Sequence, residues 1–186
     1  MHVLFKTTYD QDINLLVNPG GRIRVIGLIV LAFAAPFLVD PYSLTELSMF
    51  LVYALAGLGL MVVIGFSGQV SFGHAALLGI GAYGHAILIS HGVSFAVALP
   101  LAGLITGLCG ALLGRIASGM HGFYLAIATL AFVILIETII GEWTDLTGGY
   151  LGMEVPQISL FGYELNQSWQ QYLVTLCVFL FFVWGV

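Results

Sequence analysis

The chain has 186 residues, of which 60% are hydrophobic and only 7% are charged, with four basic and nine acidic side chains. Its mean hydropathy is +1.09. In a soluble domain roughly a quarter of the residues are charged, against 7% in this chain. So few charged groups cannot cover the surface of a water-soluble domain of this size, and the composition therefore indicates a membrane protein. The chain has no basic patch interleaved with aromatic residues, which argues against a nucleic-acid partner.

Apolar segments follow one another along the chain, and about twenty apolar residues are enough for a helix to cross the hydrocarbon core. The polar lead before the first segment carries no cleavage signature, so that segment is predicted to be retained as a span. We predict an all-α fold, a polytopic transmembrane helical bundle with five full spans plus the start of a sixth. The predicted spans are residues 25–39, 44–64, 75–90, 93–117, 124–141 and 172–186.

Basic residues fall on one side of this predicted topology. Lys6, Arg22 and Arg24 precede the first span, and Arg115 lies near the end of the fourth. The positive-inside rule then places the N-terminus in the cytoplasm. The loop 142–171 contains no Lys or Arg and falls on the outer side.

The fourth predicted span carries a regular set of glycines. They are spaced four, three and four residues apart, so they lie along one face of a helix. Small residues at this spacing let a second helix approach closely in a membrane, and tight helix packing is the expected role. The four residues are Gly103, Gly107, Gly110 and Gly114.

A glycine-broken polar run, residues 65–75, interrupts the apolar pattern before the third span. Glycines permit dihedrals that break a helix, and each break frees backbone N–H and C=O groups. In one interpretation this run lines a solute path, as unwound stretches do in transporters. In the other it is a cytoplasmic turn whose Ser and Gln side chains cap the next helix. The candidate path residues are Ser67, Gly68, Gln69, Ser71, Gly73 and His74.

Glu137 is the only carboxylate well inside a predicted span, about one turn from its outer end. It can reach interfacial water or pair with a neighbouring helix, which is a structural role. The sharper alternative is recognition of a solute's ammonium group, so Glu137 joins the path candidates.

The loop 142–171 has aromatic residues at both ends, which is typical of the belt at a membrane interface. The turn formed by Thr147, Gly148 and Gly149 is also a candidate contact for an external binding protein, and the two roles are compatible.

Other chemistry finds no support in the residue pattern. The histidines are not spaced as metal ligands, so no metal site is predicted. No nucleophile, base and acid occur together, and no phosphate-binding Gly-x-x-x-x-Gly-Lys-Ser/Thr loop is present. We therefore predict that the chain is not an enzyme, has no catalytic residues and binds no cofactor itself. Cys109 and Cys177 fall in apolar stretches and are expected to be packing residues.

Three ordered motifs carry a resemblance to a known family. Residues 65–75 read GFSGQVSFGHA and are followed by GIGAY at 79–83, residues 122–132 read GFYLAIATLAF, and residues 146–153 read LTGGYLGM. This pattern resembles the permease subunits of branched-chain amino acid ABC importers, the LivM/LivH family, and fits its LivM-type branch better.

The resemblance implies a permease component of an ATP-driven importer for branched-chain or related hydrophobic amino acids. It implies the bacterial inner membrane, alternating access, and contact with membrane lipid. The implied partners are a second permease subunit, cytoplasmic ATPase subunits that bind ATP, and a periplasmic solute-binding protein. It also favours the solute-path interpretation of the polar run.

Two alternatives stay open, a permease for urea or short amides and a self-standing oligomeric channel or secondary transporter. LivM-type proteins are considerably longer and carry a cytoplasmic ATPase-docking loop after the sixth span. We therefore expect residues 1–186 to be one incomplete permease domain, the N-terminal portion of such a protein.

Overall fold

The computed structural model describes residues 19–68, 71–120, 122–155, 159–160 and 163–185. Seven α-helices occupy most of these residues. They are α1 (Pro19–Leu38), α2 (Pro41–Ser67), α3 (His74–Ser90), α4 (Phe95–Ala117), α5 (Phe123–Glu142), α6 (Thr144–Thr147) and α7 (Ser168–Gly185). A 3₁₀ turn, Gly149–Leu151, follows α6, and two-residue strands β1 (Ser159–Leu160) and β2 (Tyr163–Glu164) pair antiparallel in the loop before α7.

The turn between α1 and α2 shows how sequence sets a helix boundary. Asp40 caps α2, because its carboxylate accepts the Ser43 N–H at 3.2 Å and the Ser43 hydroxyl at 2.9 Å. Pro41 occupies the first helical position, where a missing N–H costs no hydrogen bond. The Ser43 hydroxyl and amide hold the pKa of Asp40 below its ordinary value, since both bonds favour the ionised carboxylate. At the other end α2 stops at Gly68, which has a φ of +63°.

The helices confirm the predicted all-α polytopic class. Five of them, α1, α2, α4, α5 and α7, are long and apolar enough to cross a membrane, and α3 is a shorter apolar helix of 17 residues. α1 starts at Pro19 rather than at residue 25, so Arg22 and Arg24 lie within its first turns. Long basic side chains can reach the membrane interface from a helix end, so a helix can include them. The predicted span counted only the uncharged run and was therefore shorter than α1. Lys6 lies outside the described residues.

The helices pack in two groups. In the first, α2 packs along α7, and α1 packs against both. Its core contains Ala35, Leu44, Tyr172 and Leu176, and the Tyr172 hydroxyl donates to the Ala32 carbonyl oxygen at 3.0 Å.

In the second group α3 packs along α4 and also contacts α5, whose far end is covered by α6 and the 3₁₀ turn. The predicted glycine face is used at one position, because a Cβ at Gly110 would meet Leu77 of α3 at 3.5 Å. At Gly103, Gly107 and Gly114 no described atom lies within 4 Å of such a Cβ.

Among the described residues the two helix groups share few contacts, and most large apolar side chains of the spanning helices are exposed. Lipid or further protein must cover this surface, as it does for helices in a bilayer. The segment that joins the groups, between α2 and α3, is the polar run singled out above.

Candidate functional site: the polar segment between α2 and α3

The polar segment, residues 67–74, leaves α2 through a left-handed turn. Gly68 has φ +63° and ψ +15°, and its N–H donates to the Ile64 carbonyl oxygen at 2.8 Å. This conformation favours glycine, because a Cβ would crowd the backbone. Gln69 and the side chain of Ser67 lie outside the described residues, so their predicted roles in the path stay predictions.

The segment enters α3 through hydrogen bonds to the backbone groups that the break sets free. The Ser71 hydroxyl oxygen accepts the Gly73 N–H at 3.3 Å, and the Gly73 carbonyl oxygen accepts the Leu77 N–H at 3.2 Å. The N–H of Phe72 donates to the Thr129 hydroxyl oxygen at 3.1 Å, and Thr129 belongs to α5. These bonds pair the backbone groups that the helix break leaves free, as water molecules do in a soluble loop.

Gly73 is buried where the segment meets α4 and α5. A Cβ at this position would lie 2.9 Å from a terminal methyl of Leu113 and 3.6 Å from the Thr129 Cβ. Glycine therefore lets the backbone come closer to these helices than any other residue would.

His74 connects the segment to the other helix group. Its Nε2 lies 2.9 Å from the Ala56 carbonyl oxygen of α2. A carbonyl oxygen only accepts, so Nε2 carries the proton in this bond. The ring also packs on Gly59, where a Cβ would come within 3.2 Å of Cε1. The polar segment is thus bonded to α5 at Phe72 and to α2 at His74.

Thr129 was missed by the sequence analysis. It is only 2% exposed, and its hydroxyl donates to the Leu125 carbonyl oxygen at 2.9 Å. It lies inside the second sequence motif, 122–132, and a threonine in a strongly apolar helix was the available signal. Its partner in the polar segment is 57 residues away in the chain, and nothing in the local pattern marks that pairing.

Glu137 does not join this cluster. It is exposed on α5, eight residues beyond Thr129, which is about 12 Å further along the helix axis. Its predicted part in solute recognition stays a prediction, and its distance from the polar segment gives that role no support.

Thr147, Gly148 and Gly149 form a tight turn that packs against the C-terminal end of α5. The Thr147 hydroxyl is shared between the carbonyl oxygens of Ile140 at 2.6 Å and Trp143 at 2.7 Å, and it accepts the Gly149 N–H at 3.2 Å. Thr147 is 4% exposed, and Gly149 is buried.

Exposed side chains lie on both sides of this turn, in α6 before it and in the 3₁₀ turn after it. Tyr150 is 80% exposed and Leu151 is fully exposed. The contact with an external binding protein predicted for Thr147, Gly148 and Gly149 stays a prediction. The surface available to such a partner at this place includes Thr144 and Asp145 before the turn and Tyr150 and Leu151 after it.

Within the described ranges, no three His, Cys, Asp or Glu side chains are grouped so that they could hold a metal ion. Of the histidines in α3, His74 is bonded to α2, and His85 packs edge-on against Phe95 with the ring centroids 5.2 Å apart.

Comparison with known proteins identifies the family. A family profile described as "Branched-chain amino acid transport system / permease component" matches residues 43–186. The chain is 38% identical over 149 residues to the high-affinity branched-chain amino acid transport system permease protein LivM of Salmonella typhimurium. It is 36% identical over 149 residues to the protein of the same name from Escherichia coli.

Each alignment covers 79% of this chain and 35% of the relative, so the chain spans about a third of the length of these curated relatives. No solved structure matches the chain. The relatives are transport components, and the apolar helices make the chain a multi-pass membrane protein. Since the profile covers most of the sequence, the chain belongs to the family of permease components of branched-chain amino acid transport systems.

Proposed function

We propose that this chain forms part of the substrate path of an ATP-driven importer for branched-chain or related hydrophobic amino acids. The names of its relatives support this solute class. The proposed partners are a second permease subunit, cytoplasmic ATPase subunits that bind ATP, and a periplasmic solute-binding protein. In this proposal the chain supplies path and gate and carries out no chemical step.

The observation that carries the proposal is the depth of the polar segment. The His74 ring lies beside Ala56 and Gly59, about 12–16 Å along the axis from the end of α2. Thr129, which holds Phe72, lies six residues after the start of α5, or about 9 Å along its axis. A bilayer core of about 30 Å, centred on these helices, encloses both positions. Irregular polar backbone at such depth is tolerated against protein or a water-filled path.

The segment offers the groups that an amino acid needs when it leaves water. A zwitterion requires donors for its carboxylate and acceptors for its ammonium group, because unpaired charges are costly in a medium of low dielectric constant. The Ser71 hydroxyl oxygen accepts the Gly73 N–H and still has its own proton to donate. His74 uses Nε2–H on α2, which leaves Nδ1 as an acceptor. Glycines at 68 and 73 allow a solute to approach the backbone closely.

Alternating access follows in this proposal from the division into two helix groups. The groups share few contacts among the described residues and are linked at the polar segment. Closure of the ATPase partners then rocks one group against the other, which changes the side from which the segment is reached.

The proposed location is the bacterial inner membrane with a cytoplasmic N-terminus. If each long helix and α3 cross the bilayer in turn, the start of α1 and the end of α4 lie on the same side. Arg22, Arg24 and Arg115 then share that side, in agreement with the positive-inside rule.

Thiol labelling of the assembled importer tests this function. Ser71→Cys and His74→Cys are made in a background where Cys109 and Cys177 are replaced by alanine. We expect both cysteines to react with a water-soluble thiol reagent and to be protected by leucine. His91→Cys, exposed in the turn between α3 and α4, is the matched control that reacts without protection. Thr138→Cys, exposed on α5, is expected to stay unreactive in lipid.

Absence of labelling at 71 and 74, or labelling that no solute reduces, contradicts the path assignment. Protection by urea or a short amide in place of leucine supports the alternative solute class. Leucine flux through this chain reconstituted without an ATPase supports the channel or secondary-transporter alternative.

A further inference from the structure

Thr129 makes two kinds of hydrogen bond at once. Its hydroxyl proton is shared between the carbonyl oxygens of Leu125 at 2.9 Å and Ala126 at 3.1 Å, one turn back on α5. Its oxygen also accepts the N–H of Phe72 at 3.1 Å. A threonine in a helix commonly makes the first bond, whereas the second reaches out of the helix to the polar segment.

The Phe72 N–H needs this partner because of where it lies. The chain is not helical at Phe72, and among the described residues the acceptor of this proton is the Thr129 hydroxyl oxygen. Thr129 is only 2% exposed, so water has little access to this contact, and an unpaired N–H there is costly. Thr129 therefore satisfies a donor that the helix break created.

The same contact fixes where the segment lies relative to the helices. Gly73 follows Phe72 and is pressed against α4 and α5, with the Thr129 Cβ 3.6 Å and a Leu113 methyl 2.9 Å from the position of a Cβ. His74 comes next and is bonded to Ala56 of α2. A shift of Phe72 therefore moves Ser71 and His74, the described polar side chains of the segment.

We propose that Thr129 is a positioning residue of the transport path, whose hydroxyl sets the depth and orientation of residues 71–74 by accepting the Phe72 N–H. This inference rests on the proposed function, because it assigns Thr129 to the same path. Thr129 itself needs no contact with the solute, since it acts through the backbone of the segment.

The chain offers a matched control on the same helix. Thr138 of α5 also donates its hydroxyl proton one turn back, to the Ile134 carbonyl oxygen at 2.8 Å, and it is exposed. Thr129→Val and Thr138→Val thus remove the same intrahelical bond, but Thr129→Val also removes the acceptor for Phe72. Thr129→Ser keeps the hydroxyl and loses only a methyl group.

The first readout is hydrogen–deuterium exchange of the chain in lipid nanodiscs, followed in peptides that contain Phe72. We expect Thr129→Val to speed exchange of this amide about fivefold, the factor expected for one interhelical hydrogen bond in a membrane. Thr129→Ser and Thr138→Val are expected to stay within twofold of the parent. Should Thr129→Val fail to accumulate in membranes, Thr129→Ala supplies the same comparison with less bulk.

The second readout is solute uptake by the assembled importer. We expect Thr129→Val to raise KM about fivefold while the maximal rate stays within twofold, and Thr129→Ser to restore KM. A merely structural role predicts instead a lower amount of active protein at unchanged KM. Unchanged exchange at Phe72 in Thr129→Val, or equal effects of Thr129→Ser and Thr129→Val, overturns the inference. The exchange readout needs no transport, so loss of uptake in the parent would count against the proposed function separately.

Discussion

The tight turn at the end of α5 predicts that alanine substitutions at two glycines differ in their effect on stability. Gly148 and Gly68 both end a helix in the left-handed conformation, with φ of +75° and +63°. A Cβ at Gly68 meets no described atom within 4 Å, whereas a Cβ at Gly148 would lie 2.7 Å from the carbonyl carbon of Gly152 and closer still to its oxygen. That neighbour is backbone and cannot rotate away.

The magnitudes follow from these two environments. Alanine in the left-handed region costs about 1–2 kcal/mol at either glycine. Overpacking at Gly148 adds about 1–3 kcal/mol, so Gly148→Ala is expected to lower the free energy of unfolding by about 3 kcal/mol. At about 2–4 °C per kcal/mol, this corresponds to a fall in Tm of roughly 6–12 °C, against roughly 3–6 °C for Gly68→Ala.

Thermal unfolding of the purified chain in one detergent, followed by intrinsic fluorescence, measures both variants under identical conditions. The expected order is parent, then Gly68→Ala, then Gly148→Ala. If Gly148→Ala unfolds at the same temperature as Gly68→Ala, the packing of Gly148 against Gly152 is wrong.

Three further outcomes follow from the structure. Ser43→Ala removes the main cause of the lowered pKa of Asp40. In the parent, the ionised carboxylate stabilises the folded state at pH values above its ordinary pKa of 3.8, and this stabilisation is lost as the pH falls through the lower native pKa. The stability difference between parent and Ser43→Ala should therefore be constant from pH 7 to 5 and shrink below about pH 4 in denaturation titrations, and a difference that grows on acidification contradicts the cap. Tyr172→Phe removes the hydrogen bond from α7 to α1 and should cost about 1 kcal/mol, whereas Tyr53→Phe, at an exposed site on α2, should cost nothing measurable in the same thermal assay. Glu137→Gln should leave the KM for leucine within twofold of the parent, because Glu137 lies away from the polar segment; a large rise restores its predicted role with the ammonium group.

Hydropathy predicted the helices well, since a chain of this composition has few other ways to satisfy its backbone in a membrane. Their ends were less predictable. The first helix begins at Pro19, before Arg22 and Arg24, because a helix can carry basic residues at the interface. The last helix begins at Ser168 rather than at residue 172 for a related reason, since its polar first turn lies outside the apolar run.

The sequence predicted which residues form the site, but it did not predict which distant residues they contact. Glycines and polar residues at 67–74 marked a broken helix in an apolar chain, and that much is local information. The partners of the segment are not local. Thr129 belongs to a distant helix, and the acceptor for His74 is the backbone carbonyl of Ala56, a group that every residue carries and no side-chain pattern reveals.

The glycine face of α4 shows a similar limit. Periodicity correctly indicates which residues share a face, but the described residues bring a neighbour to Gly110 and leave Gly103, Gly107 and Gly114 open. A spacing rule identifies a surface suited to close packing without naming its partner.

If the polar segment folds back into the membrane beside α2, as proposed, depth measurement by electron paramagnetic resonance will detect it. Nitroxide labels are placed singly at Phe72 and at Phe66, both exposed positions, with the chain in lipid vesicles. Relaxation by oxygen and by a water-soluble nickel complex then gives the depth of each label. The label at 72 is expected to lie deeper in the bilayer than the label at 66, near the end of α2. A label at 72 that is as accessible to the nickel complex as a free aqueous loop, and shallower than the label at 66, contradicts the proposal.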